Sequence, residues 1–161
     1  MSRRGDFLPL IVVLLGSASA QEKEKPAAFE ERGKIVCLIE EMKEKYKAEA
    51  APAHEHLVGF RVEDKAAANG FRYFTLLRNG GSEALFADKR FKERELRLWG
   101  RVFPSSSVLE VSRFGWYRDG RLMDVYYWCE VCSIRGVDPG PCACCRAKVE
   151  LREAPFEPEK K

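Results

Sequence analysis

The feature that most constrains this chain is a cysteine-rich stretch near its C-terminus. Four cysteines form two Cys-x-x-Cys pairs, Cys129 with Cys132 and Cys142 with Cys145, and nine residues separate the pairs. Each pair brings two thiolates to one side of a tight turn, and two such turns can enclose one metal ion in a tetrahedron. Four thiolates favour zinc or iron over magnesium or calcium. The sequence therefore predicts a metal centre at these four cysteines.

The segment between the two pairs, 133–141, cannot build a core of its own. It contains two glycines and two prolines, which break regular structure and allow the chain to reverse direction. It has very few apolar side chains to bury. A bound zinc ion would contribute on the order of 10 kcal/mol to the local fold. We therefore expect zinc as a structural cofactor in a cysteine knuckle, residues 129–145.

Other roles for the cysteines remain open. The six cysteines could instead form disulfides in an oxidising compartment outside the cytosol. Cys144 lies beside Cys145 and cannot take an equivalent position on the same ion, so it is a spare thiol, a substitute ligand or a partner for copper(I). Trp128 precedes the first pair, as Trp does in thioredoxin-like sites, but Gly136 leaves no room for the helix that activates such thiols. Copper or redox chemistry is thus the alternative to structural zinc.

The two histidines of the chain, His54 and His56, are further alternative ligands. Residues two apart in an extended segment point the same way, so both imidazoles could chelate one metal. No third ligand is near them in the sequence, and the other interpretation is a polar entrance to a strand. A remaining cysteine, Cys37, lies in an apolar run and is expected to be a buried structural thiol.

The first twenty residues predict a secretory signal peptide. Arg3 and Arg4 give a basic start, an apolar run extends from Phe7 to Gly16, and Ala18-Ser19-Ala20 is a small-residue cleavage site. The apolar run is too short to span a bilayer comfortably as a permanent helix. We expect an exported protein, periplasmic or secreted, with no stable membrane span after processing.

The remaining chain consists of short stretches with the alternating pattern of β-strands. We divide it into a charged linker (21–32), an OB-like β domain that includes the knuckle (33–153) and a disordered tail (154–161). Strands are expected at 33–39, 57–62, 71–77, 83–86, 96–102, 108–117, 122–128 and 147–153, with a short helix within 40–51 and a helical connector at 87–94. Asn79-Gly80-Gly81 and Asp119-Gly120 predict hairpin turns, and Gly100 a bulge. The order suits a small curled barrel of the five-stranded OB type, with a zinc-ribbon-like end.

Four stretches carry a resemblance that covers most of the mature chain: His54 to Phe60, Tyr73 to Leu77, Leu98 to Pro104, and Tyr127 to Cys132 continued by Pro139 to Cys145. On these residues the chain resembles a group of small exported bacterial proteins with an OB-like strand core and a cysteine-rich end. The resemblance implies the fold and export. It adds no reaction, since the group has no assigned activity.

The sequence offers no catalytic site, and we assign no catalytic residue. It lacks a Gly-x-Ser-x-Gly elbow and phosphate-cradling glycine loops. A stacking face for single-stranded nucleic acid or sugar could be formed by aromatic side chains, Trp99, Trp116, Tyr117, Tyr126 and Tyr127. Aromatic residues at strand spacing usually pack a core, export removes most nucleic-acid targets, and the net charge of +3 is small. We therefore expect a zinc-stabilised binding or interaction module for a protein or small molecule, with a metal- or thiol-handling protein as the alternative.

Overall fold

The computed structural model describes residues 25–51 and 56–158. The predicted signal peptide, residues 1–20, and the candidate ligand His54 lie outside the described residues. In the part that is described, the fold is mainly β, as predicted. The elements in chain order are strand β1 (Ala27–Cys37), helix α1 (Leu38–Tyr46), strands β2 (Val58–Glu63) and β3 (Phe71–Leu76), helix α2 (Glu83–Ala87), a 3₁₀ turn (Lys89–Phe91), and strands β4 (Glu95–Val102), β5 (Val108–Arg118), β6 (Arg121–Cys129), β7 (Ile134–Gly136) and β8 (Glu150–Pro155).

Strands β1 to β5 are joined edge to edge in a ring. β1 pairs antiparallel with β2 on one side and with β4 on the other, and these in turn pair with β3 and β5. The end of β3 closes the ring through a short parallel pairing with the start of β5, where Leu76 lies opposite Leu109. The side chains inside are apolar, and Phe60, Leu96 and Leu98 are completely buried. Burial of this apolar surface is the main stabilising term for the ring.

Two bends that were predicted from glycine are confirmed. The pairing of β4 with β5 shifts register between Trp99 and Gly100, and a Cβ at Gly100 would overlap the carbonyl oxygen of Glu110. Only glycine allows the two backbones to approach so closely at this bulge. Asp119 and Gly120 have φ angles of 49° and 75°, as the two-residue turn of a hairpin requires. This turn connects β5 to β6.

Strand β6 extends the sheet beyond the ring. Asp124 pairs with β5 on one edge and with β8 on the other, whereas Tyr127 pairs with β7 and with β8. β5 and β7 therefore occupy the same edge of β6 one after the other, and β8 runs along the opposite edge. The strand expected at 122–128 is present as β6, which ends at Cys129 and so leads directly into the first cysteine pair.

The predicted boundary between linker and first strand is wrong. β1 begins at Ala27, inside the expected linker 21–32, because Phe29 packs in the core against Phe74 with ring centroids 4.9 Å apart. The charged residues of this half-strand face outward and pair across the sheet, Glu30 with Arg97. The strand also ends at Cys37, two residues before the predicted end, since Leu38 already begins α1.

The turn at Asn79-Gly80-Gly81 does not produce the predicted hairpin and return strand at 83–86. It leads into α2, whose residues Ala84 and Leu85 are completely buried in the core. The hydroxyl of Ser82, also buried, donates to the carbonyl of Leu77 at 2.7 Å and fixes the direction of the chain. A short apolar run is compatible with either a helix or a strand. Here the run is a helix, which buries Ala84 and Leu85 against the core.

The C-terminal prediction also needs correction. β8 begins at Glu150 and continues to Pro155, so the expected strand 147–153 begins three residues and ends two residues too early. The next residue, Phe156, stacks on Trp99 with ring centroids 5.1 Å apart and nearly parallel planes. Residues 154–156 are therefore ordered by backbone pairing and ring stacking rather than forming part of a tail. Leu151 of β8 is partly buried and packs against the core.

Candidate metal centre

The two cysteine pairs lie in two turns with the same backbone geometry. In the first, the N–H of Ser133 donates to the carbonyl of Cys129 at 2.8 Å, and in the second the N–H of Arg146 donates to the carbonyl of Cys142 at 2.8 Å. Ser133 and Arg146 are both in the left-handed region, with φ of 53° and 62°. In each turn the residue after the second cysteine thus closes the loop back onto the first. The sequence analysis missed these two positions, although their equal spacing from the cysteines was the available signal.

Each turn is tied to the sheet by a different contact. The first connects β6 to β7, with Cys129 directly opposite Ile134 in the antiparallel pairing. The sequence analysis treated all of 133–141 as a loop and did not predict β7. The second turn is held by the N–H of Cys142, which donates to the carbonyl of Ala147 at 2.9 Å just before β8. Since β7 and β8 flank β6, the two turns meet at the same end of the sheet.

The four sulfur atoms form a compact group. The Sγ atoms of Cys129, Cys132, Cys142 and Cys145 all lie within 4.8 Å of one another, and those of Cys129 and Cys145 are 3.5 Å apart. A disulfide requires about 2.05 Å between sulfurs. Zinc–sulfur bonds of about 2.3 Å in a tetrahedron place the sulfurs roughly 3.8 Å apart. All six cysteines are described, and none forms a disulfide. The cluster therefore has the shape to hold one metal ion.

The electrostatics of the cluster also favour a central cation. The backbone N–H groups of Cys145 and Cys144 donate to the sulfur of Cys142 and lower its pKa to about 7. Hydrogen bonds with the side chains of Cys145 and Cys144, followed by burial, raise the pKa of Cys132. Closely spaced thiolates repel one another, so one can ionise readily only while its neighbours stay protonated. A metal ion removes this conflict by deprotonating all of its thiol ligands.

The alternative ligands stay outside this group. Cys144 is exposed and lies within hydrogen-bonding reach of Cys132, but its sulfur is not one of the four. His56 precedes β2 in the ring, and the cluster of close ligand atoms in the described residues contains no histidine. Cys37 ends β1 and is half-buried rather than fully buried.

The aromatic stacking face, which the sequence analysis weighed as an alternative to core packing, is not formed as a unit. Trp116 and Tyr127 are buried in the core, as the packing interpretation expects. The others are more exposed, and arginines lie over all three. Arg32 lies 4.2 Å from the ring centroid of Tyr117, and Arg135 lies 4.0 Å from that of Tyr126. Arg97 and Arg113 each lie 5.7 Å from that of Trp99. Guanidinium groups of the same chain therefore already cover part of the ring faces on which a base or a sugar would stack.

Comparison with protein-family models, curated proteins and solved structures finds no match for this chain. The structure shows a small β-rich protein with a C-terminal cysteine cluster. The resemblance to small exported bacterial proteins stays a prediction from the sequence. Among residues 25–51 and 56–158, neither helix has the length and apolar character needed to cross a membrane.

Proposed function

We propose that this chain is an exported binding or interaction module, periplasmic or secreted, whose C-terminal knuckle is stabilised by one zinc ion. The observation that carries the proposal is the pair of equivalent turns that gathers the sulfurs of Cys129, Cys132, Cys142 and Cys145 within 4.8 Å. Zinc suits a purely structural role because it takes tetrahedral thiolate sites and has no redox chemistry.

The knuckle needs such an ion because its other side chains are turned to solvent. Val131 and Val137 are 73% and 51% exposed, and every residue of β7 is exposed. Within the knuckle, only Cys129 and Cys142 are buried. A structural zinc ion would supply on the order of 10 kcal/mol where burial of apolar surface supplies little.

We further propose that the ring is an OB-type barrel. The closed order β1-β2-β3-β5-β4 is a five-stranded Greek-key arrangement, and a short helix lies between the third and fourth strands. In that fold the outer face of the second and third strands commonly binds ligands. Here Glu41 of α1 accepts hydrogen bonds from Arg61 at 2.6 Å and from Tyr73 at 2.8 Å. The helix thereby covers this face, which argues against nucleic acid as the partner.

The test is metal analysis of the purified mature protein combined with a count of reactive thiols. We expect one zinc per chain, and few thiols that react with a thiol reagent until a chelator is added. Three stable disulfides, or a folded chain that contains no metal, would contradict the zinc proposal.

A second candidate function, metal or thiol handling, is favoured by one observation. Cys144 is exposed and lies within hydrogen-bonding reach of Cys132. A thiol in this position could replace one of the four cysteines on the metal during metal exchange. Under this alternative the protein would take up copper(I) or form a reversible disulfide. The variant Cys144→Ser separates the two roles. A structural site keeps its zinc content and its rate of zinc loss to a chelator, whereas a handling site exchanges metal measurably more slowly.

A further inference from the structure

A cleft with a positive lining lies between the segment 90–94 and strands β5 and β8. Its volume is about 500 Å³, which is within the usual size of small-molecule sites. The residues that line it include Arg90, Arg94, Trp116, Arg118, Leu151 and Glu153. None of the cysteines contributes to it, so this cleft is separate from the candidate metal centre.

Glu153, which lines the cleft, and Asp88, which pairs with the lining residue Arg90, already have partners of their own. Glu153 accepts a hydrogen bond from the indole N–H of Trp116 at 2.5 Å, and its other oxygen pairs with Arg118. Asp88 pairs with Arg90 and also accepts a hydrogen bond from the hydroxyl of Tyr127 at 2.7 Å. Both carboxylates are nearly buried, with side-chain exposures of 13% and 10%. They therefore offer little to any further cation.

Arg94 differs from Arg90 and Arg118 because no carboxylate of the described residues pairs with it. Its guanidinium carbon lies 4.2 Å from the ring centroid of Trp116, and its side chain makes no hydrogen bond or ion pair with any residue in the described ranges. Trp116 is itself fixed, by its bond to Glu153 and by packing against Phe91 with ring centroids 5.5 Å apart. A guanidinium that stacks on a fixed ring has its orientation set in advance, and its N–H donors remain available at the edge of the plane.

We propose that this cleft binds a small ligand through an oxyanion, a carboxylate or a phosphate group, and that Arg94 is the residue that recognises it. A planar guanidinium matches both groups with two parallel hydrogen bonds. Arg90 and Arg118, each about half exposed, keep the local potential positive although they are paired. The inference goes beyond the zinc site and gives the proposed binding module a class of ligand.

The test is a titration of the metal-loaded protein with inorganic phosphate and, separately, with citrate at low ionic strength. Heat of binding and tryptophan fluorescence report the two titrations. We expect saturable binding of at least one of the two anions, and the preferred one identifies the ligand's oxyanion. Arg94→Ala should weaken binding by about tenfold or more, because charge-assisted bidentate bonds are lost.

Two further variants separate recognition from packing. Arg94→Gln keeps a planar group over Trp116 without the charge, and it should lose affinity as Arg94→Ala does. Arg101→Ala is the matched control, since Arg101 also lies over an aromatic ring, at 5.6 Å from the centroid of Phe103, but outside the cleft. It should bind as the wild type does. No saturable binding of either anion, or an equal loss in the Arg94 and Arg101 variants, would overturn the inference. A protein that purifies folded without zinc and still binds an anion would overturn the zinc proposal and leave this inference standing.

Discussion

The ring of strands β1 to β5 and the cysteine knuckle are stabilised in opposite ways. Inside the ring, large apolar side chains such as Phe60 and Leu98 are completely buried. In the knuckle, the apolar side chains Val131 and Ile134 are 73% and 43% exposed, and the residues that turn inward are cysteines. The difference teaches that one small chain can combine a hydrophobic core with a cysteine cluster, shaped to hold a metal ion, where a core is missing.

The largest effect should come from depriving the knuckle of the zinc ion that we propose it holds. Cys129→Ser, or a strong chelator, is expected to abolish stoichiometric zinc binding and to cost on the order of 10 kcal/mol locally. Limited proteolysis and hydrogen exchange should then show opening of β7 and β8 while the ring stays protected. Cys144→Ser is the matched control and should leave protection unchanged. If the Cys129→Ser variant melted and resisted protease as the wild type does, the knuckle would not depend on a metal ion, and the contrast with the ring would be wrong.

The reverse experiment weakens the ring. Phe60→Ala deletes a completely buried side chain and should lower the free energy of unfolding by about 3–5 kcal/mol. Urea denaturation measures the loss, and zinc content of the folded fraction should stay at one per chain. Phe103→Ala, at a partly exposed ring, should cost clearly less. If zinc were lost in proportion to stability at low urea, the knuckle would depend on the ring after all.

The bulge in β4 offers a smaller change. Gly100→Ala would drive a Cβ into the carbonyl of Glu110, so the bulge must shift, at a cost of about 1–3 kcal/mol. Gly80→Ala is the control, because a Cβ there meets nothing within 4 Å. Thermal melting compares the two variants. Equal melting temperatures would show that the close approach at Gly100 does not constrain the sheet.

The smallest expected effect is on the loss of stability at acid pH, through the ion pair of Asp88 with Arg90. Hydrogen bonds from the side chain of Arg90 hold the pKa of the Asp88 carboxyl below its ordinary value of 3.8. For a lowered pKa, the stabilisation is present above the unfolded-state value and is lost as pH falls through the lower folded-state value. Asp88→Asn should therefore flatten the fall of stability below about pH 4, by no more than about 1 kcal/mol. Denaturation at pH 6 and at pH 3 tests this, and an unchanged slope would contradict it.

The sequence was sufficient for those features that depend on local pattern. The spacing of the cysteines predicted which four sulfurs meet, because a Cys-x-x-Cys turn is a local geometry. The strands with strict alternation were predicted as well: Val58, Phe60 and Val62 are all buried on one side of β2. The hairpin turn at Asp119-Gly120 was predicted because Asp-Gly is a residue pair that favours two-residue hairpin turns.

Features that depend on distant partners could not be predicted. The first half of β1 has charged side chains whose partners lie in other strands, so it resembled a solvated linker. β7 has no buried face, and its pairing follows from the turn at Cys129 to Ser133. The contact of Arg94 with Trp116 joins the bend before β4 to strand β5, and no local pattern indicates it.

The central claim is that one ion lies among four sulfurs at the end of β6. X-ray absorption at the zinc edge on the purified mature protein tests this most directly. The account predicts four sulfur neighbours at about 2.3 Å and no nitrogen or oxygen in the first coordination sphere. A zinc-free sample with Cys129, Cys132, Cys142 and Cys145 joined as disulfides, or a zinc bound by histidine or water in place of any of them, would contradict it.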